Sequence, residues 1–197
     1  VFARAVDVFV QVVRCQRDDL QRARFARGAL APRGAMYYLE AVPQGPNMAA
    51  AARQGMIGAC KRMAGNPVPI LGVKGIAFLA DRLEKWPQKL GDEQAMLYLG
   101  QLIRMQEEIG TGGAGFRFMF AAFLQEAAEL LQLPQLFQLS EEMTLVGDTW
   151  RRFAVSGARI CKGRAMPEDT YAGLAEILRE CGRGERKIYA ELLHLLK

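Results

Sequence analysis

The chain has 197 residues, 51% hydrophobic and 24% charged, with a formal net charge of +5. That length and balance describe one good-sized globular domain, or one domain plus a fragment of another, and do not indicate disorder. No run of 18 apolar residues and no secretory leader pattern is present, which argues for a soluble chain without a membrane span.

Residues 1–15, VFARAVDVFVQVVRC, are rich in valine and phenylalanine and read as one or two strands interrupted at Asp7. No later segment offers them strand partners, and a lone hairpin is barely stable. The expectation is a remnant of a sheet whose other strands lie upstream of Val1. Residues 16–27 read as a short helix with Asp18 and Asp19 at its positive end. Residues 28–46 carry Pro32, Gly34, Pro43, Gly45 and Pro46 and read as a crossing loop.

From Asn47 onward the reading is helical. Asn47 is a candidate N-cap for a helix running to Gly65. Val73 to Trp86 reads as a second helix, closed by Pro87, and Asp92 as the cap of a third. A glycine turn at 110–115 precedes a helix whose inward face is expected to hold Phe116, Met119, Phe120, Phe123, Leu124, Ala127, Leu130 and Leu131. Pro134 opens the next helix, with Met143, Val146, Trp150 and Phe153 on one face. Pro167 is placed in the first turn of a further helix, and Gly182 and Gly184 leave its continuity to the C-terminus open. The expected fold is mainly α, a bundle-like domain of six to seven helices with one or two N-terminal strands. The expected division is 1–27, 28–46 and 47–197.

The strongest chemical signal is Gly-Thr-Gly-Gly-Ala-Gly-Phe-Arg at 110–117. Backbone N–H groups at a glycine-rich helix start suit a phosphate or carboxylate, which nominates Thr111, Gly112 and Gly113, with Arg117 one turn on as a bidentate anion grip. Tight packing explains the glycines equally simply and is favoured for so short a pattern. Arg117 could instead pair with Glu107, Glu108 or a backbone carbonyl. The motif is neither GxGxxG nor a nucleotide P-loop.

Other chemistry has little support. Cysteines at 15, 60, 161 and 181 lack CxxC spacing, and His194 is the only histidine, so neither a zinc site nor a Cys–His pair is indicated. Reduced thiols fit a cytoplasmic protein. Glu107, Glu108, Glu126 and Glu129 lack the Glu-x-x-His pairs of di-iron bundles. No metal and no cofactor are expected. Basic clusters at 14–27, 151–164 and 183–187 read first as solvated surface, and could meet an acidic protein or a phosphate-bearing substrate. They lack the interleaved aromatics of nucleic-acid binders. Homo-oligomerisation is left open.

Five stretches in order carry a resemblance: DDLQRAR at 18–24, the proline-rich crossing, ILGVKGIAFLADRLEKW at 70–86, GTGGAGFRFMFAAFLQEAAELL at 110–131 and DTWRRFA at 148–154. Together they resemble the C-terminal part of butirosin biosynthesis protein H-like proteins, which join a cysteine-peptidase-like domain to a mostly helical domain. The resemblance implies that residues 1–27 end an upstream α/β domain of that kind. It implies an acyltransferase of antibiotic biosynthesis, moving an acyl group from an acyl-carrier protein to a small amine substrate. The cysteine and histidine such chemistry needs would belong to the upstream domain. On the same resemblance Asp7 takes the place of an acid that orients the histidine, although a plain strand-end aspartate also fits. This chain would shape docking; the alternative is a non-catalytic helical interaction or oligomerisation module.

Overall fold

The computed structural model describes residues 16–28, 31, 45, 47–109 and 112–197. The strands expected in 1–15 lie outside the described residues, as do Asp7 and Thr111. Among the described residues the chain is mainly α, with eight α-helices and no strand. It divides into two units, 1–46 and 47–197.

In the first unit, α1 spans Arg17–Arg24, with Asp18 and Asp19 in its first turn and Arg22 and Arg24 in its last. This distribution follows the helix dipole at both ends. The helix is shorter than 16–27, ending at the Phe25 C-cap.

The second unit holds seven helices: α2 (Met48–Met63), α3 (Gly72–Leu83), α4 (Trp86–Leu90), α5 (Asp92–Glu107), α6 (Arg117–Leu131), α7 (Gln135–Cys161) and α8 (Tyr171–Leu195), with a 3-10 turn, η1 (Ala114–Phe116), before α6. Asn47 caps α2 as its side chain accepts from the Ala50 N–H at 2.9 Å. The Trp86–Pro87 pair starts α4 where the sequence reading had it close α3. Proline lacks only an N–H that is unsatisfied in any first turn, so it opens a helix as readily as it stops one. Asp92 is the first residue of α5; its N-cap is Gly91, whose φ of 79° suits glycine. Pro167 sits in the loop before α8, which begins four residues later under Thr170, whose hydroxyl accepts from the Gly173 N–H at 2.9 Å.

Two long helices organise the unit. α7 packs on α5, α6 and α8, and α8 packs in addition on α2 and α3. Met143, Val146, Trp150 and Phe153 of α7 all face the core. α8 runs unbroken through Gly182 and Gly184. A Cβ at 184 would lie 2.6 Å from Val146 Cγ2, and one at 182 would lie 3.5 Å from Ile76 Cγ2. Gly184 serves close helix contact, which outweighs its helix propensity deficit of about 1 kcal/mol, whereas a Cβ at 182 would fit at ordinary contact distance. The inward face of α6 holds Leu124 and Ala127 of the expected set, with Phe120, Phe123 and Leu131 packed against the core, but it differs at its edges. Ala121, Leu124, Ala127 and Ala128 are buried, while Phe116, Met119 and Leu130 are about half exposed. Small residues win the face because α7 lies close, with the Ser140 hydroxyl donating to the Ala121 carbonyl at 2.8 Å.

Candidate functional site

The glycine turn is a run of five left-handed residues. Gly112, Gly113, Ala114, Gly115 and Phe116 have φ of 65°, 87°, 49°, 55° and 71°. Alanine and phenylalanine each pay about 1–2 kcal/mol for that conformation, so surrounding contacts must hold it.

Those contacts come from two carboxylates. The Ala114 N–H donates to Glu107 Oε1 at 3.1 Å, and Arg151 Nε lies 3.5 Å from Glu107 Oε2. Gly113, with φ 87° and ψ 159°, holds a conformation that favours glycine, and the end of the Arg151 side chain lies close beside it. Arg117 turns back on its own loop, donating through Nη1 to the Gly115 carbonyl at 2.8 Å. Its Nε and Nη2 both reach Glu185 Oε1 at 2.8 Å. Trp150 Nε1 donates to the same oxygen at 2.8 Å. The guanidinium stacks 4.6 Å from the Trp150 ring centroid, a cation–π contact in a largely desolvated place. Gln106 Nε2 donates to the Trp150 carbonyl and to Glu107 Oε1, each at 2.9 Å, linking the two halves.

The positions an incoming anion would take are therefore held by the chain's own acids: Glu107 at the turn N–H and Glu185 at Arg117. Gly113 is buried in this brace and Gly112 is exposed beside the Met119 side chain. Arg117 does bond a backbone carbonyl, but its acidic partner is neither Glu107 nor Glu108. Glu185 went unread in the sequence. Its signal was a lone acid on the apolar stripe Leu174, Leu178, Cys181, Ile188 and Leu192 of α8, all buried. A charge on such a stripe calls for a partner.

The three described thiols are poorly disposed to react; Cys15 lies outside the described residues. Burial pushes Cys60 up to about 11. Burial, with the Glu185 charge adding to it, pushes Cys181 up to about 12. Cys161 is partly exposed, is also raised by burial, and sits 3.6 Å from the Met96 carbonyl oxygen. The same kind of burial raises Tyr189. His194 is exposed at a cavity of about 480 Å³ between the start of α7 and the end of α8, with Gln135, Gln138 and Glu191 around it. No described cysteine lines that cavity. Among the described residues no group of three or more His, Cys, Asp or Glu is placed to hold a metal ion. Nor is any helix long and apolar enough to cross a membrane.

Residues 18–192 match the family described as a domain of unknown function, DUF4872, and the chain belongs to it. No curated protein and no solved structure matches the chain.

Proposed function

We propose that this chain is the helical C-terminal portion of an acyltransferase-like protein of the butirosin biosynthesis protein H kind, shaping the surface where an acyl-carrier protein or amine substrate docks. The observation that supports this best is the state of its reactive groups. Cys60 and Cys181 are buried thiols with raised pKa values, Cys161 is raised as well, and the lone histidine faces a different cavity. A thiolate is the working nucleophile of thioester chemistry, and the surroundings of these three described cysteines suppress it. The chain then shapes a docking surface and leaves the sulfur chemistry to another domain, with Asp7 as the orienting acid there.

The experiment is to mix the chain with an acyl-carrier protein bearing an acyl thioester and follow both binding and thioester loss. Binding without turnover is expected. Turnover that disappears in Cys161→Ser makes the chain itself an enzyme, and absence of binding removes the docking role. Arg117→Ala tests the anion grip separately. On this reading the carrier must compete with Glu185 for the guanidinium, and unchanged affinity in the variant ends that part of the proposal.

A second reading, a helical interaction or oligomerisation module, draws on α5. Leu97 and Met105 on this helix and Ile109 just past it are 65%, 56% and 53% exposed. Three large exposed apolar side chains on and just past one helix are a candidate contact face. Sedimentation over a concentration series, with Leu97→Glu and Met105→Glu as comparison, separates self-association from docking of another protein.

A further inference from the structure

The surface between α3 and α8 carries a feature that the glycine turn does not touch. It is an open groove of about 510 Å³. Val73, Ala77, Gly182 and Ala190 form its apolar floor, and Arg179, Arg183, Arg186 and Lys187 its rim. The floor is small-featured because valine, alanine and glycine form it, and a Cβ at 182 would make only ordinary contacts, with Ile76 at 3.5 Å and the Val73 carbonyl oxygen at 3.9 Å. On α8 the positions 179, 183, 186 and 190 repeat at intervals of four, three and four, so they share one face.

The lining contains four cations and no carboxylate. Three of the cations are held from outside the groove: Arg179 by Asp81 and Glu84, Arg183 by Glu176, and Lys187 by Glu142. Arg186, and Lys74 on the exposed flank of α3, make no ion pair with any described residue. The holding pairs are largely exposed, and exposed pairs are worth at most about 1 kcal/mol, so an incoming carboxylate can share or replace them.

We propose that the α3–α8 groove is a docking site for an acidic amphipathic helix of a partner protein. Small floor residues let a third helix approach closely, as in helix-in-groove recognition, and the lining runs along α8 from Arg179 to Ala190, about 16 Å at the rise of an α-helix, which suits a helix better than a compact ligand. The rim selects for carboxylates flanking the apolar stripe of that helix. The inference stands on the groove alone and holds whether or not the partner is an acyl-carrier protein.

The test uses the full chain and a fluorescent synthetic helical peptide with glutamates flanking an alanine–leucine stripe. A shuffled peptide of the same composition and a peptide with lysine for each glutamate serve as comparisons. Anisotropy titration should show saturable binding of the acidic amphipathic peptide alone, weakened by added salt. Arg186→Glu breaks no ion pair within the described fold, and should weaken binding about tenfold. Ala190→Trp, at an exposed position, should block the groove with the helical circular dichroism intact. The double variant Arg183→Glu, Arg186→Glu should gain affinity for the lysine peptide. Equal binding of the shuffled peptide would mean bulk charge attraction and overturn the proposal. So would no binding up to roughly 100 μM, the weak end of transient association, or wild-type affinity in both Arg186→Glu and Ala190→Trp. Anionic vesicles or RNA that bind wild type and are lost in Arg186→Glu, while the peptide does not bind, would assign the cationic rim to those partners instead.

Discussion

Arg117 and Glu185 come from helices 68 residues apart and meet at 2.8 Å, with the Glu185 side chain fully out of solvent and Arg117 18% exposed. This pair fixes the start of α6 against α8. Removing one partner of a buried pair strands the other charge, at about 3–5 kcal/mol. Glu185→Ala should lose stability on that scale in urea unfolding, since Trp150 Nε1 loses its acceptor as well. The double variant Arg117→Met, Glu185→Leu should recover most of the loss. A double variant no more stable than Glu185→Ala would mean that the pair is not what destabilises the single variant.

Glycines in the helices divide into two kinds. A Cβ at Gly147 would lie 2.6 Å from the Phe118 ring, whereas Gly55 on α2 has nothing within 4 Å. Gly147→Ala should therefore destabilise by about 1–3 kcal/mol through overpacking. Gly55→Ala should stabilise by about 0.5–1 kcal/mol through helix propensity. Thermal melts of the two variants should move in opposite directions; a shift in the same direction contradicts the packing described.

Asp169, whose side chain is 3% exposed, should make stability depend on acid. The Ser156 hydroxyl, the Met166 N–H and nearby Arg159 hold its carboxyl below the ordinary value of 3.8. Folding therefore favours the ionised form. Its contribution is fully present above the unfolded value and is lost as pH falls through the depressed native one. Asp169→Asn should flatten the fall in stability between about pH 5 and pH 2. Identical acid slopes in the two proteins would show that Asp169 is not responsible.

Thiol labelling checks the shielding of the cysteines. A rise from 9.0 to about 11 at Cys60 cuts its thiolate at neutral pH by about a hundredfold. In native protein carrying Cys15→Ser, iodoacetamide should reach Cys161 slowly and spare Cys60 and Cys181 until denaturant is added. Peptide mapping reads this directly. Rapid native labelling of Cys60 or Cys181 contradicts the burial described.

The sequence pattern located the helical unit well where local rules act alone. Asn47 caps α2 because its side chain needs only the next turn, and the 143, 146, 150, 153 face of α7 follows from helical period. Reading failed where a distant element decides. Pro87 is compatible with a helix start or a helix stop. Gly182 and Gly184 left continuity open in the sequence, and α8 runs through both; at 184 the Val146 side chain occupies the space a Cβ would need. The α6 face takes in Ala121 and Ala128, and leaves Phe116, Met119 and Leu130 outside, because α7 lies close at that contact. Around the glycine turn, the open choice for Arg117 included a carboxylate partner, but nothing local in sequence marks a glutamate on another helix. The stripe of α8 did hold that mark, as one acid among apolar neighbours.

The 27-residue α7 abuts three other long helices along its length. Such a rod has no private route to unravelling, so its central amides should trade hydrogen for deuterium only when the whole bundle opens. The five-residue α4 packs mainly on α5 and buries no residue fully, so its amides should exchange well before those of α7. Isotope uptake near Phe153 is thus a gauge of global integrity, against which damage confined to one groove or one turn can be told from collapse of the entire scaffold.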